Sequence, residues 1–410
     1  MSPHAILNLI LIILVSEYLL ETFLEYLNFQ YLNQPLPAQL QGIYEQDKYQ
    51  KSLQYQRETA GFGFFSDAFS FALSLIMLII GGFGWLNSWL QNIINNPLLL
   101  SLGFFGFLFI VSDVLGLPFS LYSTFSIEAK YGFNKMDAKT FWIDKLKGYG
   151  LTIIVGGIII SLLLVLIQWL GADFWWVFWI AISSIMIFIN MFYTSLIVPL
   201  FNKLTPLEEG DLKSAIMEYC KKVDFPLDNL FVIDGSKRST KANAYFSGFG
   251  SKKKIVLYDT LIKDHSIEEL VAVLAHEVGH YKRKHIIQSM VISVLTVGVT
   301  LYILSLMVFN ETLSMALGAK ENTIHLNLIA FGLLYSPIST ITGLLMTILS
   351  RKNEYEADDF AKNTFSSEFL IVALKKLSTN NLSNIMPHPW YVFFNYSHPP
   401  LLARIRNLEK

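Results

Sequence analysis

Long apolar runs alternate with polar segments along the chain, and the runs are long enough to cross a membrane. A helix that spans a bilayer needs about 20 mainly apolar residues. The first run has no Lys or Arg before it and is long for a signal-peptide core, so we expect it to be retained. Seven runs predict seven transmembrane helices, at approximately 4–27, 63–86, 98–123, 148–170, 174–200, 286–309 and 325–349.

The basic residues predict how these helices are oriented. All 31 Lys and Arg lie outside the seven runs, and alternate connecting segments hold 30 of them against 1. Cytoplasmic loops of membrane proteins carry an excess of Lys and Arg. The pattern therefore predicts an N-terminus outside the cytoplasm and a C-terminus inside it.

Two of the segments that this topology places in the cytoplasm are large enough to fold. In the first we predict a helix near 208–223, short strands at "NLFVID" and "KKIVLYDTL", and a helix near 266–285. The second is predicted to form two or three helices with a Pro-rich break. We expect the two to pack into one α+β unit. The predicted divisions are 1–200 (helices one to five), 201–285 (first part of the unit), 286–350 (helices six and seven) and 351–410 (second part).

Composition supports a membrane protein and narrows the chemistry. The chain is 53% hydrophobic and only 15% charged, whereas soluble domains are about 25% charged. Its net charge of −1 gives no basic field for nucleic acid. The single cysteine, Cys220, excludes an internal disulfide and a cysteine-cluster metal site. Any metal would need His, Asp or Glu ligands.

The stretch "AHEVGHYKRKH", residues 275–285, contains the strongest chemical signal. His276 and His280 are four residues apart, which on a helix places both imidazoles on one face. Glu277 lies beside them, where it could act as general base of a zinc-dependent hydrolase. The sequence "SIEEL" at 266–270 predicts a capping box, so the helix is supported independently of the motif.

A catalytic zinc needs a third protein ligand. His285 is nearest in sequence, but it lies half a turn off the face of His276 and follows three consecutive basic residues. Glu354 and Asp358 are again four apart, whereas Glu356 points elsewhere. Geometry favours Glu354 as the ligand, with Asp358 hydrogen-bonded to a ligand histidine. The alternative is an acidic helix start with no metal.

Five acidic residues fall inside the predicted membrane helices. Glu17, Glu21 and Glu25 form a stripe in the first, and Asp67 and Asp113 lie in the second and third. Acidic residues within a membrane are costly and usually face a polar interior. They favour a water-filled cavity over the alternative of hydrogen bonds between helices.

At this level of detail the chain resembles the type I CAAX prenyl proteases, integral-membrane zinc endopeptidases that process prenylated C-termini. The resemblance covers nearly the whole sequence and rests on stretches longer and more specific than the zinc motif. They are "FSIEAKYGFNKM" (125–136), "PLFNKLTPLEEGDL" (199–212), "KANAYFSGFGSKKKIVLYDTL" (241–261), "LAHEVGHYKRKH" (274–285), "SRKNEYEADDFA" (350–361) and "SHPPLLARI" (397–405).

The resemblance implies a mainly α membrane protein. Its seven transmembrane helices would form a barrel around an internal chamber, with the α+β zinc metalloprotease unit on the cytoplasmic side. It also implies one Zn²⁺ per chain, held by His276, His280 and Glu354, with Glu277 as the base.

The resemblance further implies roles for three residues near the substrate. His398 and Arg404 would touch the substrate or the tetrahedral intermediate, and Asn243 would lie beside the substrate backbone. From the residues themselves we predict that "KKIVLYD", 253–259, is an edge strand that pairs with an extended peptide. The basic, turn-like "SGFGSKKK" beside it would protect that edge.

The expected partners are a peptide or protein substrate, prenylated or membrane-associated, and membrane lipid, without nucleic acid; we expect a monomer. The short connection between helices six and seven and the lack of a C-terminal retention signal favour a bacterial inner membrane over the endoplasmic reticulum. Two alternatives stay open. One is a quality-control membrane metalloprotease of the heat-shock type. The other is a non-catalytic scaffold with a structural metal, which would need no acid at Glu277.

Overall fold

The computed structural model describes residues 1–34, 42, 45–227, 229–247 and 254–410, and within them the protein is mainly helical. The helices are α1 (Pro3–Tyr31), α2 (Gln46–Ile79), α3 (Gly82–Gln91), α4 (Pro97–Tyr122), α5 (Ala138–Leu151), α6 (Gly157–Leu170), α7 (Phe174–Phe192), α8 (Val198–Phe201), α9 (Asp211–Lys222), α10 (Asp259–Asp264), α11 (Ile267–Lys282), α12 (His285–Met307), α13 (Glu311–Ala316), α14 (Ile324–Thr364), α15 (Ser367–Asn380), α16 (Pro389–Asn395) and α17 (Leu401–Glu409). The strands are β1 (Leu204–Pro206), β2 (Leu230–Ile233), β3 (Ala244–Ser247) and β4 (Lys254–Tyr258).

The prediction of a multi-pass membrane protein is confirmed. In the described parts of the chain, six helical stretches are long and apolar enough to cross a membrane. One of them, Ala138–Phe201, contains both the fourth and the fifth predicted helix. A tight turn at Gly171–Asp173 divides this stretch, with Gly171 at a φ of 55°. The two helices on either side of the turn, α6 and α7, pack against each other.

The predicted C-terminal bound of the second membrane helix, 63–86, is wrong, and the helix extends further towards the N-terminus than the predicted apolar run. Helix α2 already begins at Gln46 and ends at Ile79, because Gly81 adopts a left-handed φ of 66°. The next helix then starts in close contact with a distant turn: the Gly84 amide donates to the Leu317 carbonyl at 2.9 Å. The apolar run continues across this break, because the residues on both sides of Gly81 are mainly apolar.

The four strands form one sheet in the order β1-β2-β4-β3. The inner pair, β2 and β4, is parallel, and both outer pairings are antiparallel. The prediction that 253–259 is an edge strand is therefore wrong: β4 is paired on both sides, and β3 lies at the edge. Three consecutive buried residues, 255–257, explain this, since strands covered on both faces have continuous apolar runs. Residues 248–253 of the predicted protective turn lie outside the described residues.

One hydrophobic core joins the two segments that flank the last two membrane helices. Ile216, Leu257 and Val278 from the first segment pack in the same buried cluster as Leu370 and Leu408 from the second. Helix α11 runs through this core with most of its first three turns buried. The core thereby sets the position of α11 relative to the end of α14.

A close approach between α11 and α14 depends on a glycine. A Cβ added at Gly279 would lie 3.0 Å from Ala357 Cα and 3.1 Å from Phe360 Cβ. Carbon atoms this close must move apart, so only glycine allows the two backbones their present separation. The contact brings the middle of α11 against the part of α14 that carries Glu354.

The acidic residues inside the membrane helices separate into two groups. Glu17, Glu21, Glu25 and Asp67 line a cavity of about 690 Å³ between α1, α2 and α16, as expected. Asp113 does not line it. The Asp113 carboxylate instead accepts hydrogen bonds from Lys145, at 2.7 Å, and from Tyr149. For Asp113 the alternative of bonding between helices is therefore correct.

Candidate active site

The helix that carries the first two candidate ligands begins where the sequence predicts. The Ser266 hydroxyl accepts from the Glu269 amide at 3.3 Å, and Glu269 accepts from the Ser266 amide at 3.1 Å. This reciprocal capping box is confirmed. Such a cap stabilises a helix start by about 1 kcal/mol. The helix then continues without interruption through the H-E-x-x-H motif to Lys282.

Three candidate ligand atoms converge between α11 and α14. His276 Nε2 and His280 Nε2 lie 3.1 Å apart, and His280 Nε2 lies 3.2 Å from Glu354 Oε1. One ligand atom from each residue falls within 4.8 Å of the others. His285 is not part of this cluster; its ring faces the far side of His280.

The donors fit a tetrahedral metal such as zinc. Zinc binds imidazole nitrogen at about 2.0–2.1 Å, so two ligand nitrogens of a tetrahedron are about 3.3 Å apart, close to the separation observed for His276 and His280. Glu354 Oε2 is buried and makes no hydrogen bond. Arg404 Nη1 and His276 Nε2 each lie 3.4 Å from this oxygen. Since a buried carboxylate oxygen without a hydrogen bond is costly, its position suits a bound cation. Two nitrogens and one oxygen form a donor set typical of catalytic zinc, which leaves a fourth position open.

His276 is held from its other side by a carboxylate. Its Nδ1 lies 2.9 Å from Asp358 Oδ1, and Arg404 binds the same carboxylate through Nε at 2.9 Å and Nη2 at 2.5 Å. Burial and the Arg404 charge lower the pKa of His276, but the carboxylates of Asp358 and Glu354 overcome both and raise it to about 9. The pocket around His276 therefore favours positive charge.

Glu277 lies in the cavity that contains these ligands. This cavity has a volume of about 450 Å³, and its wall also includes Val273 and Leu374. Burial raises the pKa of the Glu277 carboxyl, although the nearby imidazoles of His276 and His280 oppose the shift. A carboxylate with a raised pKa next to a metal site is suited to accept a proton and to release it again.

The remaining predicted residues border the same cavity. His398 is exposed, and its Nε2 lies 3.3 Å from Glu354 Oε1. Asn243 is exposed immediately before β3, and its side-chain oxygen accepts from the Ala244 amide at 2.8 Å. Arg404 is mostly buried against Asp358. The structure thus brings every predicted site residue to one place.

Asn381, which the sequence did not single out, positions the backbone on the Asn243 side of the cavity. Asn381, at the end of α15, accepts from the Ala242 amide at 3.2 Å, and its amide donates to the Ala242 carbonyl at 3.4 Å. These two bonds hold the backbone just before Asn243. No local signal could reveal this role, because the partners are separated by 139 positions.

Comparisons with known proteins cover the full chain. Residues 25–203 match a family described as the CAAX prenyl protease N-terminal, five membrane helices, and residues 206–410 match peptidase family M48. A CAAX prenyl protease 1 homolog from rice is 36% identical over 98% of this chain and 97% of its own length. CAAX prenyl protease 1 from Saccharomyces cerevisiae is 32% identical over 96% and 93%.

A solved structure of a related protein has the same fold as this chain. The crystal structure of Ste24p from S. mikatae superposes with a TM-score of 0.94, at 32% identity, over 99% of each chain. The match extends through the membrane helices and the unit that contains the H-E-x-x-H motif, so it favours a membrane peptidase over a non-catalytic scaffold. The chain belongs to peptidase family M48, as a membrane metalloendopeptidase similar throughout to proteins named CAAX prenyl protease 1.

Proposed function

We propose that the protein is a zinc-dependent endopeptidase that cleaves near the C-terminus of prenylated or membrane-associated peptides. The observation that carries the proposal is the convergence of His276, His280 and Glu354 in the cavity that also contains Glu277. The CAAX substrate class is supported by the names of relatives that match this chain over almost all its length.

The reaction requires one base next to the ligand cluster. A zinc ion held by His276, His280 and Glu354 would polarise the scissile carbonyl and make the attacking water more acidic. Glu277 accepts the proton of that water and then gives it to the leaving amine. Its burial supports this double role, because a carboxylate with a raised pKa takes up the proton of the attacking water more readily than an ordinary exposed carboxylate does. It can still pass that proton to the leaving amine, which is the stronger base.

Two side chains at the cavity can stabilise the negative charge that develops on the oxyanion of the intermediate. His398 is exposed at the cavity and lies within 3.3 Å of the ligand carboxylate, so its imidazole can donate to the oxyanion of the intermediate. Arg404 is bonded to Asp358 and lies 3.4 Å from Glu354 Oε2. We propose that the positive charge of Arg404 helps to stabilise the oxyanion. Arg404 also holds Asp358, which in turn positions His276.

The free edge of β3 is the proposed substrate-binding strand. Of the strands in the described residues, β3 pairs only with β4, and its first residues border the cavity with Asn243. An extended peptide can add to such an edge through its main-chain groups. Asn243 adds an amide that can donate to and accept from the same backbone.

The strand-addition proposal has its own test. Asn243→Ala should raise the KM of a peptide substrate, and a peptide with N-methylated amides next to the scissile bond should bind more weakly than its parent. Zinc content should stay at the wild-type level. Equal binding of the methylated and parent peptides would exclude this mode of recognition.

The membrane part is proposed to contain seven spans, with α6 and α7 counted separately, around a chamber continuous with the acidic cavity. The distribution of basic residues supports a cytoplasmic zinc unit made of 201–285 and 351–410. One shared core supports the unit. The bacterial inner membrane stays a prediction, and the rice and yeast relatives are eukaryotic.

Peptide cleavage tests the proposed function directly. Purified full-length protein is incubated with matched prenylated and unprenylated peptides, with and without a zinc chelator. We expect cleavage of the prenylated peptide, loss of activity with chelator and recovery on addition of zinc. Activity that survives complete metal removal contradicts the metal mechanism, and equal cleavage of both peptides contradicts the prenylated substrate class.

A further inference from the structure

His285 is the one histidine of the 275–285 stretch that the ligand cluster does not use. Helix α11 ends at Lys282, and Lys284 adopts a left-handed φ of 61°. The chain therefore turns, and His285 begins α12 with its side chain directed back towards α11. His285 is 4% exposed, and its Nδ1 lies 3.1 Å from His280 Nδ1.

The positions of the protons follow from these contacts. His280 Nε2 faces His276 and Glu354, so metal binding uses the Nε2 lone pair and leaves the proton of His280 on Nδ1. A neutral imidazole has one donor and one acceptor nitrogen. His285 Nδ1 must therefore accept from His280, which places the single proton of His285 on Nε2.

That remaining proton has a carboxylate partner. His285 Nε2 lies 3.2 Å from Glu356 Oε2. The chain of bonds is consistent in one direction only: His280 donates to His285, and His285 donates to Glu356. The other tautomer of either ring would place two protons or two lone pairs against each other.

We propose that His285 and Glu356 are positioning residues that orient His280 and set its tautomer for the metal. The inference rests on the metal site proposed above. It gives each ligand imidazole a carboxylate: His276 binds Asp358 directly, and His280 reaches Glu356 through His285. Both carboxylates come from α14, the helix that also supplies Glu354.

The effect of removing His285 or Glu356 can be measured as a change in zinc affinity. Removing an outer partner of a metal-bound histidine typically weakens binding by about 10–100-fold. In full-length protein in detergent, competition against a chromophoric chelator should show this loss for His285→Ala. Glu356→Ala should lower affinity less, because His285 remains, and Glu356→Gln should lower it least, because its amide oxygen can still accept.

A double variant distinguishes a relay from two independent effects. Since Glu356 acts through His285, the affinity of His285→Ala/Glu356→Ala should equal that of His285→Ala alone. Lys352→Met is the matched control; Lys352 lies 3.6 Å from Glu356 Oε1 on the exposed side of α14. This control should bind zinc like the wild type.

Three results would overturn the proposal. Unchanged zinc affinity in His285→Ala shows that His285 does not position His280. Additive losses in the double variant show that Glu356 does not act through His285. X-ray absorption spectroscopy counts the imidazole ligands around zinc in the zinc-saturated proteins. One imidazole fewer in His285→Ala than in the wild type shows that His285 is itself a ligand.

Two further comparisons separate failure of the relay from misfolding of a variant and from failure of the proposed function. Glu356 is 39% exposed in its side chain, so Glu356→Ala and Glu356→Gln are both expected to fold. A loss of zinc affinity that is larger in Glu356→Ala than in Glu356→Gln supports the relay even where His285→Ala fails to fold. If the wild-type protein binds no zinc, the proposed function fails together with the relay. If the wild type binds zinc and the variants match it, only the relay fails.

Discussion

Lys241 Nζ lies 2.9 Å from Glu128 Oε2 and 3.0 Å from the hydroxyl of Tyr55. Tyr55 in turn donates to Glu128 Oε1 at 2.6 Å. Lys241 also lies over the ring of Phe133, 4.5 Å from its centroid. The network joins the stretch "FSIEAKYGFNKM", next to the membrane, to Lys241, which lies two residues before Asn243. It therefore connects the membrane helices to the start of the proposed substrate strand.

Disruption of this pair should weaken substrate binding more than turnover. Glu128→Gln and Lys241→Met are each expected to raise the KM for peptide by up to about tenfold, because charge-assisted hydrogen bonds that hold the backbone before β3 are lost. Zinc content should not change. Steady-state kinetics of both variants provide the measurement.

The charge exchange Glu128→Lys/Lys241→Glu should recover part of the lost affinity, since it restores the attraction. Lys130→Met is the control, because Lys130 pairs with Glu58 at an exposed position on the same segment. An equal effect of the control variant would mean that the whole segment, and not the Lys241 pair, sets substrate affinity.

Glu277→Gln should abolish most activity and leave the metal in place. The substitution removes the base but none of the three candidate ligands. Loss of a general base typically lowers the rate by about 10²–10⁴-fold. The measurement combines peptide turnover with metal analysis of the same preparation. Turnover at the wild-type rate would disprove the assigned role.

Glu354→Ala should lower zinc content, because the number of protein ligands falls from three to two. His285→Ala, by contrast, should still reach one zinc per chain when zinc is saturating, although its affinity is weaker. Metal analysis after equilibration at high and low free zinc separates the two cases. Full zinc content in Glu354→Ala at low free zinc would contradict its role as a ligand.

Gly279→Val should separate α11 from α14 and damage the metal site. A side chain at Gly279 meets Ala357 and Phe360, and overpacking of this kind costs about 1–3 kcal/mol. We expect a lower unfolding temperature and weaker zinc binding. Gly343→Val is the control, because a Cβ at Gly343 meets no atom within 4 Å; it should leave zinc affinity unchanged.

Cys220 should be unreactive in the folded protein. The thiol is 2% exposed, and burial raises its pKa to about 12. Because the thiolate is the nucleophile, raising the pH from 7 to 9 should hardly increase alkylation of the folded protein, whereas an unfolded thiol with a pKa near 8.5 reacts readily. Mass spectrometry after iodoacetamide treatment measures both. Fast labelling of native protein at pH 9 would contradict the burial.

Features that depend on near neighbours in the sequence could be predicted from it. The capping box, the helix through His276 and His280, and the start of the third membrane helix near residue 98 all follow from residue type and periodicity over a few turns. The same spacing rule placed Glu354 and Asp358 on one face of a helix. Local geometry limits such features strongly, because each residue advances a helix by a fixed angle and rise.

The edge of the sheet, the partner of Asp113 and the surroundings of His285 were decided by the tertiary structure. Each depends on which distant segments meet: β3 covers β4, Lys145 reaches Asp113, and the turn at Lys284 directs His285 towards His280. No local pattern encodes these pairings, since they join residues on separate elements whose approach is set by the packing of whole helices. The sequence by itself determined the membrane class and the metal-binding motif, and the packing of α11 against α14 determined how the site is built.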